Sequence, residues 1–166
     1  MALTQYCELD EVRAALGVND VELPDTVLNL PVYEIGLVRE LAKVSTSLPA
    51  AFSSLLNIAE GARSAQQVEL FNATRMFSVY TCAKQVGVSL ASMTPKGVSD
   101  GKASMARFSD SPYKDVLERV EMVLASARAH LIEAYATLSG GASASTQMSL
   151  PLAFRAGGRT YDPVTG

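Results

Sequence analysis

The sequence contains no tryptophan and a single histidine, and its 166 residues carry a formal net charge of only -3. With no tryptophan and 7% aromatic residues, a platform for stacking sugars or bases is not expected. The small net charge provides neither a broad basic surface for wrapping nucleic acid nor an acidic tail. No uninterrupted apolar run approaches the roughly 20 residues that cross a bilayer, so we expect no membrane span.

Residues typical of catalytic and metal centres are equally scarce. His130 has no second candidate base with which to build a Ser-His-Asp or Cys-His set. Cys7 and Cys82 form no C-x-x-C or zinc motif, and we interpret them as buried reduced thiols, with one long-range disulfide as the alternative. The segment 97–104 resembles a P-loop but is one residue short and has alanine where a magnesium-binding hydroxyl is needed. We therefore predict no enzymatic activity, no metal site and no cofactor.

The hydrophobic pattern predicts an all-α helical bundle, because apolar residues recur at spacings of three and four along most of the chain. The segment 65–91 is apolar on two sides and is expected to be the long central helix, and 113–138 is expected to be a long C-terminal helix. The other predicted helices are 8–16, 32–44 and 49–60, with at most one helical turn at 25–29. The expected buried faces are Leu9, Val12, Ala15 and Leu16; Ile35, Val38, Leu41 and Ala42; and Phe52, Leu55, Leu56 and Ala59.

The longest internal break is residues 93–111, which are rich in proline, glycine and Asp-Gly turn signals. A loop this long inside a compact domain usually has a function. The middle of the loop could also form a short hairpin. Candidate residues for contacts between subunits, or with DNA in a channel, are Lys96, Lys102, Arg107 and Phe108.

The helical pattern ends near Gly141, which divides the chain into a helical bundle domain, 1–141, and an extended C-terminal docking arm, 142–166. Disordered ends are usually depleted in apolar and aromatic residues, whereas this arm contains several. Such a segment, with no core of its own, is expected to bind a partner by strand addition or by side-chain pockets. The candidate partner-binding residues are Leu150, Leu152, Phe154, Arg155 and Tyr161.

The order of these parts resembles the head-to-tail adaptor proteins of tailed bacteriophages, also called head completion or connector proteins. The matching features are the opening helix LDEVRAALGV (9–18), the long central helix, the segment GVSDGKASMARFSDSPYKDVLERV (97–120) and the C-terminal arm. The resemblance covers most of the chain as a pattern, without a diagnostic motif.

The resemblance implies a structural virion protein that is made in the host cytoplasm and works at the head–tail interface. It implies a helical ring, typically a dodecamer, that docks beneath the portal protein, extends the DNA channel and carries a tail or nozzle protein. The arm would reach the portal or neighbouring subunits, and the 93–111 loop would contact other subunits or the tail side. Non-specific contact with channel DNA stays open, and the family uses no cofactor.

Two other interpretations stay open. A small terminase-like ring that packages DNA is also small, helical and oligomeric, but it needs an N-terminal DNA-binding module, which the acidic opening helix disfavours. A non-viral helical interaction domain fits the bundle and leaves the apolar arm unexplained.

Overall fold

The computed structural model describes residues 3–93, 97–99, 104–106 and 114–140, with side chains described for 3–90 and 114–140. The predicted all-α helical bundle is confirmed. The helices are α1 (Leu9–Leu16), α2 (Asp25–Leu28), α3 (Pro31–Val44), α4 (Leu48–Leu56), α5 (Ala65–Met93) and α6 (Lys114–Leu138), with 3-10 turns at Leu3–Gln5 and Glu60–Ala62.

The bundle is organised around α5, which packs against α1, α3, α4 and α6. Of the helices described, α5 and α6 are the longest, at 29 and 25 residues, and they pack on each other. An aromatic stack lies in the core, where the ring of Phe52 is 5.3 Å from that of Tyr6 and 5.5 Å from that of Phe71. Because α5 is covered on several sides, the prediction of a central helix at 65–91 is confirmed.

Both ends of the first helix, α1, are stabilised by local interactions. Ahead of α1, the backbone N–H of Glu8 donates to Glu11 Oε2 at 3.1 Å, which satisfies a free amide at the helix start. Gly17 follows the last turn with φ of 68°, a left-handed conformation that glycine adopts without steric cost. Val12 and Leu16 are buried, as predicted.

A buried arginine fixes the loop between α1 and α2. The Nε of Arg13 donates to the carbonyl of Leu23 at 2.9 Å, and its guanidinium pairs with Asp10 and Asp25. The hydrogen bond with Asp25, followed by that with Asp10, raises the pKa of Arg13 despite its burial. The loop is therefore tied to α1 by charge-assisted bonds as well as by its buried Leu23.

The predicted buried face of α3 is wrong in part. Ile35 is 67% exposed, whereas Tyr33, Leu37 and Leu41 are buried. The helix is apolar on two sides, and Gly36 allows the face that contains Tyr33 and Leu37 to approach α5 closely. That approach leaves Ile35 on the outside.

The third predicted helix is shorter than expected, because α4 ends at Leu56 rather than at residue 60. Phe52 and Leu55 are buried as predicted, but Leu56 and Ala59 are exposed. The amide of Asn57 donates to the carbonyl of Ser53 at 3.2 Å, an example of a polar side chain that satisfies backbone groups near a helix end.

Two short strands, β1 (Gly97–Ser99) and β2 (Ser104–Ala106), lie between α5 and α6. They pair as an antiparallel hairpin in which Val98 lies opposite Met105. The hairpin alternative for the 93–111 loop therefore agrees with the structure.

Polar contacts join the C-terminal half of α6 to α5 and to the segment just before α4. His130 Nε2 on α6 lies 2.6 Å from Glu69 Oε1 on α5. The hydroxyl of Tyr135 lies 2.6 Å from that of Ser47, just before α4. His130 is a polar residue on the surface of α6, since its side chain is 47% exposed.

Candidate functional site

A groove of about 750 Å³ lies between α3, α5 and α6. Its apolar floor contains Tyr33 and Phe77, which are buried, and Leu124, which is partly buried. Both the size and the mainly apolar floor are typical of pockets that bind a ligand or a partner side chain.

The α5 side of this groove follows from helix geometry. Phe77, Thr81, Lys84, Gln85 and Val88 recur at spacings of three and four, so they lie along one stripe of the helix. The stripe mixes apolar, hydroxyl, amide and cationic groups. It therefore offers both packing surface and hydrogen-bond donors to an occupant.

The rim of the groove is mainly cationic. Lys43, Lys84 and Arg128 line it, against the single lining carboxylate of Glu40. Lys43 pairs with Glu40, and Lys84 pairs with Glu121 at 2.8 Å. Within the described ranges, Arg128 has no ion pair and keeps its full charge available. We name this feature the basic groove.

One hydroxyl in the basic groove is left without a hydrogen bond. Thr81 is 3% exposed, and among the described residues its Oγ1 is the one buried side-chain polar atom with no partner. Elsewhere on α5, Thr74 donates to the carbonyl of Leu70 at 2.7 Å, and Ser78 donates to that of Thr74 at 2.7 Å. A buried polar group without a partner costs free energy.

The width of the groove depends on a glycine. A Cβ at Gly36 would lie 2.7 Å from both Nε2 and Oε1 of Gln85. The side chain of Gln85 is therefore held against α3, at the edge of the groove. Since the contact involves the end of a flexible side chain, a small rotation of Gln85 would change the opening.

A second surface site is centred on Arg75 of α5. Its guanidinium contacts Glu8 at 3.2 Å and Glu11 at 3.1 Å. Partial burial lowers the pKa of Arg75, but the hydrogen bond and charge of Glu11, followed by those of Glu8, outweigh it and raise the pKa. These contacts join α1 to α5, and each of the three charged side chains has a partner of opposite sign, so we interpret them as structural.

The two cysteines are free and buried, which confirms their interpretation as reduced thiols. They contact each other, and the hydrogen bond between Cys82 and Cys7, followed by burial, raises the pKa of the Cys82 thiol. This raised pKa keeps Cys82 protonated at neutral pH. A protonated, buried thiol is a poor nucleophile.

The site residues predicted from the sequence lie outside the described part of the chain. This holds for the arm residues and for the four loop residues. They are Leu150, Leu152, Phe154, Arg155 and Tyr161 in the arm, and Lys96, Lys102, Arg107 and Phe108 in the loop.

Among the residues that the structure describes, no three histidine, cysteine, aspartate or glutamate side chains lie close enough together to hold a metal ion. None of the helices in those ranges has the length and hydrophobicity needed to cross a bilayer.

Sequence reasoning missed the basic groove. In the sequence, Lys43 and Arg128 each resemble an ordinary solvated charge, because 85 residues separate them and only tertiary packing brings α3 and α6 to the same groove. The spacing of residues 81, 84, 85 and 88 is a partial signal of the groove. It places the polar residues Thr81, Lys84 and Gln85 along one side of a helix that is expected to be central.

Comparisons of the chain with protein-family models, with curated proteins and with solved structures give no match.

Proposed function

We propose that this chain is a non-catalytic structural protein of a tailed bacteriophage, which forms a ring beneath the portal, joins the head to the tail and extends the DNA channel. The proposal rests on the resemblance of the sequence to head-to-tail adaptor proteins. Its site of action is then the head–tail interface of the virion.

The observation that carries the proposal is the order of parts along the chain. A short acidic helix opens it, the long helix α5 forms the centre, and the segment 97–120 leads into the second long helix, α6. The helix α5 packs against α1, α3, α4 and α6, as expected of a bundle built around one central helix. This agreement supports a bundle of the adaptor type.

The partners in this proposal are further copies of the chain, the portal protein and a tail or nozzle protein. The arm, 142–166, is assigned to the portal or to a neighbouring subunit. Ring assembly multiplies weak contacts, because each further contact within a ring forms at a high effective concentration. A single modest interface per subunit is therefore enough for a stable ring.

Binding to purified portal rings tests the proposal, measured as cosedimentation of the chain with the ring. The full chain is expected to bind, and a chain that lacks 142–166 is expected to stay folded and lose binding. Phe154→Ala is expected to weaken binding by more than about tenfold, because aromatic anchors often dominate interfaces. The matched control is Thr146→Ala, in the same arm but outside the candidate partner-binding residues, for which no change is expected.

One result would contradict the role of the arm, and another would contradict the adaptor function as a whole. If the truncated chain binds the portal ring as well as the full chain does, the arm is not part of the interface. A full chain that binds no portal ring contradicts the adaptor function itself.

A further inference from the structure

An acidic loop with an exposed apolar tip lies between α1 and α2. Val21 is 84% exposed, the highest value among the large apolar side chains described. It is flanked by Asp20 and Glu22, both exposed. We name the three residues the acidic knob. An apolar side chain displayed between two carboxylates is suited to a pocket with an apolar floor and a basic rim.

The backbone of the acidic knob is held in place by its own hydrogen bonds. The side-chain oxygen of Asn19 accepts from the backbone N–H groups of Val21 and Glu22, both at 2.9 Å. The backbone N–H of Asn19 in turn donates to Glu22 Oε2 at 3.2 Å. The next residue, Leu23, is buried in the core. Because the loop is already ordered, docking it costs little conformational entropy.

We propose that the acidic knob of one copy of this chain docks in the basic groove of a second copy. The choice of a second copy as the occupant rests on the proposed ring, and the charges of the two surfaces are complementary. Asp20 has no ion pair within the described residues, and the same is true of Arg128 in the groove. Both charges are thus available for a contact between copies.

The apolar floor of the groove suits the same occupant. Val21 would pack against the apolar surface formed by Phe77 and Leu124. The contact would therefore bury apolar surface in addition to pairing opposite charges.

The contact is directional, because the knob and the groove are different surfaces of the same chain. Each copy can use its knob on one neighbour and its groove on another. Contacts of this kind produce a closed ring when the rotation between copies closes, and a filament when it does not. The inference therefore specifies how the proposed ring would be held together.

Sedimentation velocity of the full chain tests this contact with two charge reversals, Asp20→Arg and Arg128→Glu. The parent chain is expected to form oligomers as its concentration rises. Each single variant is expected to self-associate more than about tenfold more weakly, since like charges would then face each other. Raised salt is expected to weaken the parent's association, because rim charges are screened.

An equimolar mixture of the two variants is the decisive experiment. The Asp20→Arg chain retains an intact groove, and the Arg128→Glu chain retains an intact knob. The mixture is expected to associate more strongly than either variant alone, because the intact knob meets the intact groove and the two reversed surfaces also bring opposite charges together. A chain that carries both reversals has opposite charges at both surfaces and is expected to recover part of the parent's association.

The matched control is Arg119→Glu, an exposed arginine of α6 that does not line the groove. It is expected to associate as the parent does. The contact is excluded if the parent stays monomeric at about 1 mM, if the single variants associate like the parent, or if the mixture associates no more strongly than either variant alone. Portal binding is measured separately, so a chain that self-associates through this contact but binds no portal contradicts the proposed function alone.

Discussion

The side chain of Gln85 on α5 occupies the space beside Gly36 on α3, so that a Cβ at Gly36 would lie 2.7 Å from its Nε2 and Oε1. The absence of a side chain at Gly36 lets α3 and α5 lie close together at this point. It determines which face of α3 is buried and sets one edge of the basic groove.

Replacing this glycine tests whether the contact is adjustable. Gly36→Ala is expected to leave the free energy of unfolding within about 1 kcal/mol of the parent value, because the better helix propensity of alanine offsets the rotation of Gln85. Urea unfolding measures it. A loss of more than about 3 kcal/mol would mean that Gln85 cannot move.

Gly87→Ala is the matched variant in the core. Its Cβ would lie 2.6 Å from Leu117 Cδ2 and 3.1 Å from Leu16 Cδ2. Since three helices meet there, the side chains have little room to shift, and we expect a loss of about 1–3 kcal/mol. Equal stabilities for the two alanine variants would contradict this contrast.

Replacing Thr81, whose hydroxyl has no hydrogen-bond partner, is expected to stabilise the chain rather than destabilise it. Thr81→Val keeps the shape of the side chain and removes a buried donor that lacks an acceptor, so the isolated chain is expected to gain about 1 kcal/mol of stability. Thr74→Val is the control. Because the hydroxyl of Thr74 donates to the carbonyl of Leu70, its removal is expected to give no gain in stability. Destabilisation by Thr81→Val in urea unfolding would show that the hydroxyl has a partner.

The packing of α6 predicts a difference between two of its residues. Leu131 is fully buried, and Leu131→Ala is expected to cost about 2–5 kcal/mol. Met122 is 69% exposed on the same helix, and Met122→Ala is expected to change stability by less than about 0.5 kcal/mol. Thermal unfolding compares the two, and a similar cost for both would mean that the buried face of α6 is assigned wrongly.

Alkaline pH is expected to destabilise the bundle. The hydrogen bond with Cys7 and burial raise the pKa of the Cys82 thiol, so the folded chain keeps a proton that the unfolded chain releases above about pH 8.5. The stability from this group is therefore complete below that pH and is lost as the pH rises toward the raised pKa, by at most about 1.4 kcal/mol per pH unit.

Urea unfolding of Cys82→Ala between about pH 8.5 and 9.5 isolates this effect, because the slope of stability against pH should be less steep than in the parent. The pKa of Tyr6 is also raised, by burial and then by the charge of Glu34, so a further loss is expected above about pH 10 in both chains. An unchanged slope would exclude Cys82 as the group responsible.

The sequence predicts the helices of this fold well where one apolar face dominates. The first helix and α6 have a single stripe each, and Val12, Leu16 and Leu131 are buried as that spacing requires. In α3 the pattern is apolar on two sides, and the choice between Ile35 and Leu37 depends on the approach of α5, which no local pattern contains.

The basic groove could not be predicted for a related reason. Its cations come from α3, α5 and α6, and each of them alone resembles an ordinary surface charge. The lone hydroxyl of Thr81 is likewise visible only after the acceptors around it are known. In the sequence, the acidic knob resembles an ordinary connecting loop, because the exposure of Val21 depends on how Leu23 enters the core.

The central claim is that this chain is a ring component of the virion, and the copy number in purified particles tests it most directly. Quantitative mass spectrometry compares the amount of this chain with that of the portal protein. The chain is expected at a ratio near one to one with the portal protein, which is the ratio of two matching rings. Absence of the chain from mature particles that contain the portal would contradict the claim and favour a packaging factor or a non-structural protein.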